Sequence, residues 1–483
     1  MADSALVYAL TVPLLGAVLI GLTGRRPNLR ESVTVVTAVA LFGIVLSLLG
    51  PVLRGERPEL EVLEFIPGIE LAFKVEPLGM IYALLASFLW IFNSIYSFGY
   101  MRATNESSQT RFYMCFAVAL ASVVGIAFAG NLFTLFVFYE VLTFSTYPLV
   151  THKRTPEAVR SGRIYLGFLV GTSVCLLLLA VIWTGVLAGT LDFRPGGILA
   201  GHGSAFELGA VFTLFVLGTG KAAVMPFHFW LPRAMVAPTP VSALLHAVAV
   251  VKAGVFIVLK ISVYVVGVDQ IGSLELGTVL SYLAAGTILI ASVAALAQDN
   301  LKARLAYSTI SQLSYIVLGA SLGVANGIVG GGMHIAMHGF AKITLFFCAG
   351  AIYVAAKKTK ISELNGIGRA MPITMFAFFI AALGNIGLPP LGGAWSKWYL
   401  SLGTLDAGQQ LFLVVYLLSS IMNVAYLLPI PVRAFFTPSV EEEWSGVKEA
   451  PLACLIPIIV TASGSVALFV APDLVWRLAS SVV

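Results

Sequence analysis

The sequence predicts an all-α polytopic membrane protein with about 14 transmembrane helices, and three observations lead there. Hydrophobic residues make up 59% of the 483 and charged residues 11%, against roughly 25% charged in a soluble domain. Apolar runs of about 20 residues, enough to cross a bilayer, follow one another from end to end. The loops between them are short, and their basic residues are rich and poor by turns.

The runs fall at 5–23, 33–53, 78–100, 112–130, 132–151, 164–188, 206–224, 241–266, 275–297, 306–323, 328–356, 372–404, 410–436 and 451–476. The first begins MADSALVYAL, has no basic n-region and ends at Arg25 and Arg26, which reads as a retained span rather than a cleaved signal peptide. Residues 54–77 alternate acidic and apolar side chains and predict an extramembrane hairpin. The seventh span reads on past its run as FVLGTGKAAVMPFHFWLP and is broken at Pro226, and the twelfth is broken by Pro389 and Pro390 followed by Gly392 and Gly393. Proline removes an intrahelical hydrogen bond, so helices 7 and 12 are expected to be discontinuous. Five helices per unit would set spans 4–8 against spans 9–13 and place the two breaks in corresponding positions. An odd-numbered repeat inverts its second copy, as in transporters whose broken helices meet at mid-membrane; two unrelated kinks would leave the same prolines. The expected organisation is residues 1–111 with helices 1–3, a first five-helix repeat at 112–266, a second at 275–436, and helix 14 within 451–483.

Eighteen of the 28 Lys and Arg residues lie in loops after odd-numbered helices, and five lie on the other side. The positive-inside rule then places both termini on the non-cytoplasmic side of a bacterial inner membrane. Cys115, Cys175, Cys348 and Cys454 sit in apolar runs without C-x-x-C spacing, so neither disulfide, zinc nor iron–sulfur ligation is expected. No metal or cofactor site is expected within the chain, and the net charge of +5 gives no reason to invoke nucleic acid.

The chemistry rests on ionisable residues inside the apolar runs. Glu140 is the one carboxylate read there, with Lys221, His246, Lys252, His334, His338, Lys342 and Lys397. Charges in hydrocarbon are costly and mark polar paths or proton relays. His334, His338 and Lys342 recur at i, i+4 and i+8, drifting only about 40° and climbing about 6 Å per step, so they form one stripe. Histidine titrates near neutrality; core histidines bonded to backbone carbonyls, with a snorkelling lysine, would also fit. His246 and Lys252 point about 120° apart on an ideal helix and share a path only if that helix is distorted. Lys260, near the end of the same span, reads as snorkelling. Burial favours a neutral lysine and a nearby carboxylate favours its ammonium. Glu140 beside Lys221 would therefore make a switchable charge, worth about 4 kcal/mol at 4 Å in an effective dielectric near 20; a static ion pair is the alternative. Lys397, between Trp395 and Trp398, is either a terminal carrier or an interfacial anchor. One acid among many lysines disfavours Na⁺, which wants several oxygen ligands, so the transported species is expected to be H⁺.

Three stretches carry a resemblance: GKAAVMPFHFWLPRAMVAPTPVSALLHAVAVVKAG, DNLKARLAYSTISQLSYI and HIAMHGFAKITLFFCAGAI. Together they resemble the antiporter-like proton-translocating subunits shared by respiratory complex I and Mrp cation/proton antiporters, over roughly residues 70–435. The resemblance implies 14 helices, two inverted five-helix repeats and a hydrophilic axis at mid-membrane. It assigns the family's fifth-helix glutamate to Glu140, its seventh-helix lysine to Lys221 and its eighth-helix positions to His246 and Lys252. It assigns the eleventh-helix positions to His334, His338 and Lys342, and the twelfth-helix position to Lys397, where one complex I subunit has glutamate. In single-module length the chain resembles the D-type subunits of Mrp antiporters. The leading expectation is a proton-conducting subunit of a multi-subunit Na⁺/H⁺ antiporter with other membrane subunits as partners. The alternatives are a proton-pumping subunit of an NADH–quinone or hydrogenase complex, a coupling subunit of an inorganic-carbon uptake complex, and a scaffold with a vestigial polar axis. With no nucleotide, flavin or iron–sulfur motif, the chain has no expected catalytic chemistry of its own.

Overall fold

The computed structural model describes residues 2–66, 69–438 and 444–483. The chain opens with α1 (Ala2–Leu22) and α2 (Pro27–Leu53), then an antiparallel hairpin of β1 (Glu59–Ile66) and β2 (Ile69–Lys74). There follow α3 (Pro77–Ala103), α4 (Gln109–Ala127), α5 (Leu132–Val150) and α6 (Pro156–Ala188). Next come α7 (Ala205–Gly218), α8 (residues 239–266), α9 (Glu275–Ala297), α10 (Leu301–Ser321) and α11 (Ala325–Ala356). The last elements are α12 (Pro372–Ile386, resuming as Gly393–Asp406), α13 (Gln410–Phe436), α14 (Leu452–Val470) and α15 (Asp473–Ser480). Ten of the described helices, α1–α6, α9, α11, α13 and α14, are long and apolar enough to cross a membrane. The other spans, α7, α8, α10 and α12, are shorter, interrupted or less apolar. With the break after α7, they supply Lys221, Lys252, Ser308 and Lys397 to the interior.

Helix starts follow local chemistry. Proline at a first helical position has no donor to leave unpaired, and Pro27, Pro77, Pro156 and Pro372 each occupy such a position. This is why α2 and α6 begin before the apolar runs expected at 33 and 164. The polar first turn of α2 rests on other loops: Arg30 donates to Gln109 Oε1 at 2.8 Å, and Glu31 takes an ion pair from Arg102. The first turn of α6 is capped by Thr155, which accepts from Ala158 N. The run expected as one helix over 451–476 is two helices. Ala471 and Pro472 part them, because Pro472 has no N–H with which to continue α14.

Large apolar side chains such as Leu15, Val36, Phe144, Val186 and Val279 project outward. Such faces suit acyl chains, and the chain is an all-α polytopic membrane protein. Helix α11 forms the centre of the bundle, packed against α3, α8, α10, α12, α14 and α15 and buried over most of its length.

The two halves share a signature at their helix starts. Asn131 caps α5 by accepting from Thr134 N, and its backbone bridges Asp192 beyond α6. Asn300 caps α10 by accepting from Ala303 N, and its backbone bridges Lys360 beyond α11. The start of α5 and the start of α10 thus make the same pair of contacts five spans apart. In both halves a cis X–Pro peptide marks the broken span, Met225–Pro226 after α7 and Pro389–Pro390 within α12.

Candidate functional site

Lys221 lies in the break after α7 rather than in a long helix. Helix α7 stops at Gly218, and Lys221 sits on a single 3₁₀ turn, Gly220–Ala222. The carbonyl of Gly220 accepts from Ala223 N at 3.1 Å within the turn and from Trp230 Nε1 at 3.0 Å. The turn packs against α8 at Gly254, where a Cβ would strike the backbone of Lys221 and Ala222, so only glycine permits this approach. Lys221 Nζ, fully buried, donates to Tyr139 O at 2.9 Å and Thr143 Oγ1 at 2.6 Å and lies 3.0 Å from the Tyr139 ring centroid.

Glu140, next to Tyr139 on α5, is half-buried and forms no ion pair with Lys221 within 4.0 Å. Its buried Oε1 has no hydrogen-bond partner. The expected switchable pair is therefore open in this structure, the lysine being held by neutral oxygens of α5.

Helix α8 carries the distortion that a shared path for positions 246 and 252 requires. A π-turn at Leu244–Val248 follows the first turn, and Ala249 takes φ −101° and ψ −76° before the helix resumes at Val250. The side chain of His246, on that turn, lies outside the described residues. Lys252 is fully buried, and its Nζ meets His338 Nδ1 at 2.7 Å.

The α11 stripe is present. The rings of His334 and His338 stack with centroids 5.5 Å apart, and His334 Nδ1 lies 2.9 Å from Ser396 Oγ on α12. Both Nε2 atoms are buried without a protein partner, the condition under which a polar interior holds water. Lys342 turns aside to α10, donating to Ser308 Oγ at 2.8 Å. Ser308 belongs to a cluster with Tyr426, whose hydroxyl also donates to Asn423 Oδ1, as does Asn385 Nδ2 at 2.9 Å. Lys397 turns inward: its Nζ donates to Ile386 O at 2.9 Å and Ser420 Oγ at 3.1 Å and sits 4.8 Å from the Tyr315 ring centroid. Tyr315 in turn stacks on His334 at 5.9 Å. Lys252, His338, His334, Ser396, Tyr315 and Lys397 thus form one contiguous line. Glu140 and Lys221 form a separate group, and no direct hydrogen bond joins Lys221 to Lys252.

Sequence reasoning missed two things. Lys260 does not snorkel: it is fully buried, ion-paired with Glu76 at 2.9 Å and bonded to Ala129 O at 2.7 Å. Glu76, 3% exposed at the head of α3, is thus a second carboxylate inside the bundle. An acid directly before Pro77 was the available signal, since carboxylates favour helix N-termini. The neutral partners Ser308, Tyr315, Asn385, Ser396, Ser420, Asn423 and Tyr426 were also missed. The hydroxyl-rich stretch YSTISQLSY of α10 pointed to part of that set.

Residues 129–423 match the membrane-spanning family described as NADH:quinone oxidoreductase/Mrp antiporter, TM. The chain belongs to this family. It is 33% identical to NADH-quinone oxidoreductase subunit N of Desulforudis audaxviator over 92% of this chain and 90% of that one. It is 31% identical to NADH-quinone oxidoreductase subunit L of Mycobacterium tuberculosis over 94% of this chain and 73% of the relative. Its fold is that of a chain in the Mrp complex from Dietzia sp., with a TM-score of 0.88 at 22% identity over 99% of this chain and 96% of the other. A chain of the membrane-bound sulfane sulfur reductase, an archaeal respiratory membrane complex, superposes with a TM-score of 0.87 at 23% identity, covering 99% and 97% of the two chains.

Proposed function

We propose that this chain carries protons across the membrane as one subunit of a larger membrane assembly. Lys221, Lys252, His338, His334, Lys342 and Lys397 are the carriers in this reading, and Glu140 sets the charge of Lys221. The carrying observation is the buried Lys252–His338 contact at 2.7 Å within a contiguous polar line. Two bases at that distance share one proton, and neither has a carboxylate to fix it. Protons leave the line through Lys397, whose inward hydrogen bonds argue for a carrier rather than an interfacial anchor. Orphaned imidazole nitrogens of His334 and His338 supply points where water extends the line. The lysine- and arginine-rich loops face the cytoplasm, with both termini on the opposite side.

The assembly is taken to exchange Na⁺ for H⁺, in keeping with the fold shared with a chain of the Mrp complex. This chain carries the proton, since its axis of amines repels Na⁺, and another membrane protein of the assembly carries the cation. The length and identity of the match to quinone oxidoreductase subunit N favour a second reading, in which redox chemistry in partner proteins drives the same proton path. Purifying the native assembly, identifying its subunits and reconstituting it with an internal pH dye separates the two. Proton movement driven by a Na⁺ gradient supports exchange, and movement driven by quinone reduction supports the second reading. Wild-type proton movement in both Lys252→Ala and His338→Gln would overturn the proton path itself.

A further inference from the structure

The line described above needs an entrance, and helix α3, which lies outside the two five-helix units, carries side chains suited to one. A cavity of about 280 Å³ opens among the loops of the basic face, lined by Tyr100, Lys153, Thr239, Lys302 and Tyr353 among others. Its deep wall is where α3, α8 and α11 meet: a Cβ on Gly350 would touch both the Tyr96 hydroxyl and Thr239. Further in, Tyr82 donates to Ala249 O at 2.7 Å, just past the π-turn of α8. These two contacts fix the relative height of α3 and α8. Between them lie Asn93 and Ser94 on α3 and Ser242 on α8. At 100° per residue, Asn93 falls only about 20° from Tyr82 on the α3 surface, hence on the side turned to α8.

All three side chains are buried, Asn93 and Ser242 fully. None of Asn93 Nδ2, Asn93 Oδ1, Ser94 Oγ or Ser242 Oγ has a protein hydrogen-bond partner. A buried amide with both ends unpaired is costly in an apolar medium unless water satisfies it. Ser94, about 120° from Tyr82, is turned toward α4, but the three atoms of Asn93 and Ser242 at one level supply the two to four polar partners that a buried water requires. Below them, Lys252 is one helical turn beyond Ala249.

We propose that Asn93 and Ser242 hold a short file of water joining the lysine-lined cavity to Lys252, making this the proton inlet of the basic face. Asn93 is a positioning residue: it orders water and does not itself exchange a proton. The inference rests on the proton path proposed above.

The test uses the reconstituted assembly and its initial rate of proton movement. Asn93→Leu, which fills the space and removes both polar ends, is expected to slow the rate by about tenfold or more. Asn93→Ser, small and polar, is expected to restore most of it. Ser242→Val gives an independent second variant with the same expected loss. Thr239→Cys should create a site where a membrane-impermeant thiol reagent added to the basic face blocks flux. Wild-type rates in Asn93→Leu and Ser242→Val, or equal losses in Asn93→Leu and Asn93→Ser in an intact assembly, would overturn the inlet. If Lys252→Ala abolishes flux while these variants do not, the inlet alone fails. If Lys252→Ala is also silent, the underlying path fails with it.

Discussion

A lysine bonded to a histidine, with no acid beside either, is the smallest unit from which this molecule's behaviour follows. Lys252 and His338 are buried within 2.7 Å of each other, so a proton on one is an acceptable neighbour only if the other stays neutral. Replacing His338 with Gln keeps a polar contact but removes the titrating ring. The expected outcome is a loss of proton flux of about a hundredfold, the lower end of what a positioned acid–base group contributes, with assembly preserved on size-exclusion chromatography. Lys252→Ala should lose as much. His152 shows the opposite use of burial, in the loop after α5. It packs edge-on against Phe112, its Nε2 is 3.9 Å from Glu106, and burial first, then Arg111, hold its pKa down to about 4. The unfolded chain, with a histidine pKa near 6.5, binds more protons than the folded one between those values. Stability from this site is therefore complete above about 6.5 and declines as pH falls toward about 4. His152→Gln should flatten the acid limb of the thermal midpoint measured in detergent across that window.

Elements explain what could be read from the sequence and what could not. The breaks after α7 and within α12 were legible because proline and glycine write them into the chain, as were the α11 stripe and the lysines of the buried line. The π-turn at Leu244–Val248 was not, since LLHAV contains no residue that signals a wider turn; only the poor geometry of positions 246 and 252 hinted at it. The start of α2 was hidden for another reason. Its polar first turn looks like loop until Arg102 and Gln109 are seen to pair with it. Glu76 and Lys260 were illegible as a pair because 131 residues part Ala129 from Lys260 and more separate the acid from it. That pair joins the head of α3, the connection from α4 to α5 and the end of α8 in one buried contact. Lys260→Met leaves Glu76 uncompensated and should destabilise the protein by about 3–5 kcal/mol. Adding Glu76→Gln should recover much of the loss, measured as thermal midpoints of the single and double variants.

Across the whole molecule, the matching Asn131 and Asn300 contacts, five spans apart, are what two five-span units at 112–266 and 275–436 would show, with α11 in the second. The polar residues, however, are not shared equally between the units. The first holds Glu140 and Lys221, and the second holds Lys397 with the Ser308–Asn423 cluster; Lys252 and His338 join at the boundary. Such an arrangement has one route through it if the groups act in series, and two if each unit conducts alone. The distinction is measurable. Carriers in series fail together, so removing a second one after the first costs nothing further, whereas independent routes each retain part of the flux. Lys252→Ala and Lys397→Ala are each expected to reduce proton flux to background, and the double variant is expected to match either single one. The measurement is a dye-detected proton rate in vesicles of equal protein content. Substantial flux in each single variant that disappears only in the double would mean that the two units conduct in parallel. The line from Lys252 to Lys397 would then be a structural seam between them rather than a shared wire.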